Sequence, residues 1–132
     1  MKKKSKIKHK SISTLKKKAW TLFSLFIRRF GMRDDETNAC YTCEKRYHYK
    51  LLQAGHFIGG RHNNNLFDTR GVRPQCYNCN INLKGNTVEF FRKMQYEVGD
   101  EVIDDLRRKN RQPHPWTVTE LEGLIEKYKG DN

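Results

Sequence analysis

The sequence predicts an α+β fold in which a small metal-stapled core is flanked by helices at both ends of the chain. Three observations carry that prediction. Apolar residues recur at helical spacing before Gly31 and again beyond Cys79; the intervening stretch lacks any long helical period; and that stretch contains all four cysteines, as two CxxC pairs. With 132 residues, 36% hydrophobic and 32% charged, the length supports one compact domain plus an appendage, not two domains.

The appendage is the N-terminal arm. Lys and Arg total 27 against 15 Asp and Glu, and nine of those 27 are lysines within residues 1 to 18, where there is no acid. Without them the balance is close to neutral, so the charge is concentrated and suits a polyanion partner. Residues 1–12 are expected to be a disordered basic arm, and residues 13–132 a single domain. Leu15, Ala19, Leu22, Phe23, Phe26, Ile27 and Phe30 then form the apolar side of an amphipathic helix ending near Gly31. Its simplest partner is the domain core, with a dimer seam as the alternative. The stretch Ala19 to Ile27 is too short for a membrane span of roughly twenty residues. Arg28, Arg29 and Phe30 follow it in place of a small-residue cleavage site, so a secretory signal is not expected and cytoplasm is the default.

Asp34 to Asn38 reads as a polar loop. The short apolar groups Leu51–Leu52, Phe57–Ile58 and Leu66–Phe67, separated by Gly59–Gly60 and Asn63–Asn65, read as a small hairpin with a loose turn. Asn86 with Glu89 resembles a helix start, Phe90, Phe91, Met94 and Val98 form its stripe, and Gly99 stops it. Asp100 caps a further short helix carrying Val102, Ile103 and Leu106. Thr117 with Glu120 makes a capping box for a last helix whose Leu121, Leu124, Ile125 and Tyr128 face inward.

The cysteines give the strongest signal. Cys40 with Cys43 and Cys76 with Cys79 stand 32 residues apart, and two CxxC turns complete the tetrahedral sulfur shell that zinc prefers. Four sulfurs leave no open position, so the zinc is expected to be structural. Its binding free energy, about 10–16 kcal/mol, offsets the conformational entropy of ordering a segment with few apolar residues. Disulfides need an oxidising compartment, and a redox site needs only one CxxC.

Between and beside these pairs lie reactive groups. His56 sits in QAGHFIGGR, after an expected strand, and Asn80 follows Cys79 directly. Phosphodiester cleavage needs a base to activate water and a hard cation to stabilise charge, and an imidazole and an oxygen ligand posed across a stapled hairpin can meet that need. A lone histidine is more often simply packed or exposed.

The segments KKKAWTLFSLFIRR, CYTC, AGHFIGGR, VRPQCYNCNINLKGN, FFRKM and EVGDEVIDDL resemble the phage NinG recombination family, of the lambda NinG or Rap type, from about Ser13 to Tyr128. The resemblance implies a zinc-stapled HNH-like endonuclease with a ββα-metal core, acting on branched recombination intermediates such as Holliday junctions and D-loops in a bacterial host cell. By that likeness His56 is the general base, Asn80 binds the catalytic Mg2+ or Mn2+, and Cys40, Cys43, Cys76 and Cys79 hold the structural zinc. Two positions depart from the motif: Gly55 stands where many such enzymes carry a metal-binding Asp, and Gly71 where a middle Asn is expected. Asp68 is a candidate for the missing carboxylate, with loop capping the simpler role. Asn63, Asn64 and Asn65 are candidates for the missing amide.

Arg61, Arg70, Arg73 and Lys84 flank the expected site and suit phosphate contacts, with recognition by backbone charge and junction shape. The alternative function is a non-catalytic, zinc-dependent nucleic-acid-binding module. Resolving a symmetric junction takes two coordinated cuts, which makes a homodimer physically reasonable; the sequence does not show one.

Overall fold

The computed structural model describes residues 11–59 and 64–132. The basic arm, apart from Ser11 and Ile12, lies outside the described residues, as does Arg61. The chain runs α1 (Ile12–Arg29), β1 (Thr37–Ala39), β2 (Arg46–His48), β3 (Leu52–His56), β4 (Val72–Cys76), α2 (Thr87–Glu97), α3 (Asp100–Asn110) and α4 (Val118–Asp131), a mixed α+β architecture. Two two-stranded antiparallel sheets form, β1 with β2 and β3 with β4. Among the described residues no helix is long and apolar enough to cross a membrane.

The first and last helices build the main core together. The Ser11 hydroxyl accepts from the Thr14 amide to start α1, and Arg28 and Arg29 in its last turn complement the helix dipole. Leu15, Ala19, Phe23 and Ile27 recur every four residues and are buried, with Leu121, Ile125 and Tyr128 of α4 in the same cluster. Phe23 is fully enclosed and meets Tyr128 and Phe67 edge-on, at ring separations of 5.3 and 5.5 Å. Phe30, expected on the same stripe, is instead 71% exposed. The helix has already ended at Arg29, and the extended backbone of Phe30 turns its side chain away from the helical face. α4 begins with the expected capping box: Thr117 Oγ1 accepts from the Glu120 amide and the Glu120 carboxylate accepts from the Thr117 amide.

The central region differs from its reading in two ways. The polar stretch expected as a loop contributes β1, which pairs with β2 around a tight turn holding Cys40 and Cys43. The partner of β3 is Val72–Cys76, in the register Ala54 with Pro74 and His56 with Val72. Leu66 and Phe67 are not strand residues; they turn inward from the connecting segment and join the main core. Arg73, Pro74 and Gln75 disguise β4 as a loop. Proline is tolerated there because each strand of a two-stranded sheet has an unpaired edge, and the Pro74 carbonyl still accepts from the Tyr41 amide at 2.8 Å.

α2 and α3 form a smaller core from Phe90, Met94, Ile103 and Leu106, with Phe57 and Tyr41 against it. Gly99 separates them with φ +88°, a left-handed angle that glycine adopts freely. Asn86 stands at the start of α2 as expected, but it is itself left-handed and its side chain makes no cap; the amide donates to Cys79 Sγ at 3.6 Å.

Candidate metal centre and the adjoining cleft

The Cys40–Cys43 turn closes the β1–β2 hairpin, with the Cys40 amide donating to the Lys45 carbonyl and the Glu44 amide to the Cys40 carbonyl. Cys76 ends β4, and Cys79 lies on a single wide helical turn, Asn78–Asn82. The four Sγ atoms lie within 4.8 Å of one another, and Cys43 Sγ is 3.9 Å from Cys76 Sγ. A tetrahedral zinc with Zn–S bonds of about 2.3 Å sets its sulfurs about 3.8 Å apart. A disulfide holds them near 2.05 Å, and all four cysteines are free. The residues present therefore fit a structural metal such as zinc.

The electrostatics agree with that fit. Burial pushes the Cys40 thiol up, but the Thr42 hydroxyl and surrounding backbone amides outweigh it and bring the thiol down to about 6. Burial and the neighbouring sulfurs push Cys43 up to about 12, and burial also raises Cys79. Four crowded sulfurs cannot all ionise alone; a bound cation removes the restriction.

A buried relay ties this centre to the cleft beside it. Gln75 is fully enclosed, and its amide donates to Thr42 Oγ1 and to the Gly85 carbonyl, both at 3.0 Å. The side chain crosses directly over Gly55: a Cβ there would stand 2.0 Å from Gln75 Oε1. This is the physical reason for glycine, and against aspartate, immediately before His56. Lys84, Gly85 and Asn86 follow as three successive left-handed residues between the wide turn and α2.

His56 and Asn80 border one cleft of about 770 Å3, together with Trp20, Ser24, Arg28, Gln53, Lys84 and Thr87 among others. His56 Nε2 donates to the Leu66 carbonyl at 3.0 Å, because a carbonyl can only accept; the neutral ring then carries its lone pair on Nδ1. Trp20 stacks on the imidazole at 5.2 Å with 17° between planes. Asn80 Nδ2 donates to Gln53 Oε1 at 2.8 Å, which fixes the orientation of the amide and leaves Oδ1 as the atom that could ligate a hard cation. No Asp or Glu borders this cleft among the described residues.

The other expected residues divide. Lys84 borders the same cleft. Arg70 is bound by Asp68 and Asp105, each at 2.8 Å. Arg73 pairs with Glu97 at 3.2 Å, lies over the Tyr41 ring at 5.3 Å, and lines a second cleft with Lys93 and Lys127. Asp68 caps the short turn Thr69–Gly71 by accepting from the Arg70 amide. Burial alone would raise its carboxyl, but Arg70 and Lys109 hold it well below the usual carboxylate range. Sequence reasoning misses Trp20, Arg28 and Gln53. Trp20, Ser24 and Arg28 follow one another at four-residue spacing, a stripe visible in the sequence, but the sequence does not show that it faces His56.

Fold and site define a small α+β protein whose four clustered cysteines can hold a structural metal beside a His–Asn cleft. The chain belongs to the NinG family: the family described as "Bacteriophage Lambda NinG protein" matches residues 1–132. Among curated relatives, the protein ninG of Escherichia phage 933W is 33% identical over 63 residues, 48% of this chain and 31% of that protein. The protein ninG of Escherichia phage lambda is 29% identical over 63 residues, 48% of this chain and 30% of its own length. The chain thus spans about a third of the length of the curated relatives it matches. No solved structure matches it.

Proposed function

We propose that this protein is a divalent-metal-dependent DNA endonuclease of the HNH-like, ββα-metal type. The single observation that carries the reading is the meeting of His56 and Asn80 in one cleft, each held by a hydrogen bond. The β3–β4 hairpin and the helical turn that follows it support the ββα frame. The choice of branched recombination intermediates rests on the family resemblance, and so does a bacterial host cell as the place of action.

In this mechanism His56 Nδ1 takes a proton from a water as the water oxygen bonds phosphorus. The P–O bond to the sugar breaks, and the departing sugar oxygen takes up a proton from solvent. The Leu66 carbonyl and the Trp20 ring hold the imidazole in place while it acts. Asn65 supports this arrangement from behind: it is buried and donates to the Leu106 carbonyl at 2.8 Å, anchoring the segment whose next residue orients His56. It serves where Gly71, packed under Leu106, has no side chain to do so. Asn80 Oδ1 would hold the Mg2+ or Mn2+, which when bound supplies charge stabilisation at the phosphate and leaving oxygen. Mg2+ keeps several waters and takes ligands from substrate phosphates, so a carboxylate-free cleft suits a cation that is fully bound only with DNA present.

A labelled four-way junction incubated with the zinc-loaded protein tests this. Nicking is expected with magnesium and not with calcium, and His56→Ala is expected to abolish it while leaving junction binding and one zinc per chain. Retained nicking removes His56 from the chemistry. That no acid borders the cleft among the described residues favours one second reading, a zinc-dependent nucleic-acid-binding module; junction binding without nicking in either magnesium or manganese would establish it.

A further inference from the structure

The α1 stripe that borders the cleft contains a cation the proposed chemistry does not use. Arg28 lies two helical turns beyond Trp20, about 12 Å along the axis, and its side chain leans back over the preceding turn. Its Nε donates to the Ser24 carbonyl at 3.2 Å and to Ser24 Oγ at 3.0 Å, and Nη1 donates to the Tyr49 carbonyl at 3.3 Å. These acceptors are all neutral. They fix the plane of the guanidinium and leave Nη2 and the second Nη1 hydrogen without a protein acceptor among the described residues. Burial lowers the arginine's pKa, so the site holds a charge with reduced hydration and, among the described residues, no carboxylate paired with it. Arg70 and Arg73, by contrast, are each matched to acids. Lys84, which borders the same cleft, is also without an ion pair among the described residues.

We propose that Arg28 is a phosphate-binding residue of the His56 cleft, holding a backbone phosphate of the nucleic-acid strand next to the one that is cleaved. A planar fork with two outward donors matches two oxygens of a phosphodiester. Fixing that fork in advance lowers the entropy lost on binding. The offset along α1 from Trp20, which covers His56, sets this phosphate beside the reacting one, so Arg28 acts on docking rather than on the chemical step. The assignment rests on the endonuclease reading for the identity of the strand, and its test separates the two.

The zinc-loaded full chain is titrated with a four-way junction in calcium, where no cleavage occurs, across a series of salt concentrations. Wild type, Arg28→Ala, Arg28→Gln and Arg28→Lys are compared, with zinc content and thermal midpoint measured for each. Arg28→Gln places an amide nitrogen where Nε stands, so it retains a donor for Ser24 while removing the charge, and keeps the comparison valid where Arg28→Ala fails to fold. Loss of the arginine is expected to weaken binding about tenfold or more and to reduce the slope of log affinity against log salt by about 0.9. Arg28→Lys is expected to keep the slope while losing affinity, because a point charge replaces a fork. In magnesium, Arg28→Gln at saturating protein is expected to nick at close to the wild-type single-turnover rate. An unchanged salt slope in Arg28→Gln overturns the phosphate site, as does a wild type that binds no nucleic acid. A saturated nicking rate that collapses as in His56→Ala overturns the docking role, and a slope change in a protein that never nicks leaves the site standing and removes the endonuclease reading.

Discussion

The terminal helices and the central hairpins are held by different forces. α1 and α4 are joined by Leu15, Ala19, Phe23, Ile27, Leu121, Ile125 and Tyr128, a continuous apolar seam whose strength scales with the area removed from water. Around the cysteines the cluster is four sulfurs and Leu52, with Tyr47 half-buried against it, and the strands on either side are three to five residues long. Strands that short need an external constraint. The cysteine-bearing turns, with β1 and β2, have little apolar packing of their own and are suited to ordering by the metal their sulfurs can hold, whereas the terminal helices, with Ala54, Leu66, Phe67 and Val72 packed on them, fold by burial.

The largest expected effect separates the halves directly. Removing zinc with a chelator, or making Cys76→Ser, is expected to abolish hydrogen-exchange protection in β1, β2 and residues 76–86 while amides in the middle of α1 and α4 keep theirs. The scale is set by the about 10–16 kcal/mol of structural zinc binding. Uniform loss in both halves would break the distinction. Next comes Phe23→Ala, which leaves a void between α1, α4 and Phe67. It is expected to cost about 3–5 kcal/mol in denaturant unfolding and to leave the folded protein with one zinc per chain. A loss of zinc under folding conditions would show that the helical seam, not the sulfur cluster, positions the cysteines.

Asp68 sharpens the contrast, since it ties the connecting segment to α3 by charge. Its carboxyl is held below the ordinary range in the folded chain. Its contribution is therefore fully present above the unfolded value of about pH 4 and is lost as pH falls below it. Asp68→Asn is expected to cost about 2 kcal/mol at neutral pH and to narrow the gap from wild type below pH 4. Acid also expels zinc, so the difference between the two proteins, measured at each pH, is the quantity to read. The smallest effect is Thr117→Ala, about 1 kcal/mol through the lost cap of α4, with no change in zinc affinity.

The same division explains what the sequence makes legible. α1 and α4 can be read from Leu15, Ala19, Phe23 and Ile27 and from the Thr117–Glu120 box, because periodicity and capping are local. The cysteine centre can be read because CxxC spacing encodes ligand geometry. β1 and β4 cannot be: Thr37–Ala39 is too short to show alternation, and Arg73-Pro74-Gln75 has the composition of a loop. His56 and Asn80 are legible as candidates by their placement beside the cysteines, but their hydrogen-bond partners Leu66 and Gln53 are not, since both depend on the hairpin register. Trp20 and Arg28 lie in a helix whose apolar face explains it fully, so nothing local marks their second role.

Gly55 and Gln75 are diagonal neighbours across the β3–β4 ladder, where Gly55 is paired with Arg73 and Gln75 with Gln53, and their interlock constrains how this protein can change by single substitutions. An aspartate at 55 collides with the glutamine. Shortening the glutamine first leaves Thr42 and the Gly85 carbonyl without their donor and opens a hole beside the sulfur cluster. Either route to a carboxylate before His56 passes through an intermediate worse than both of its ends, so the two positions must change together or stay as they are.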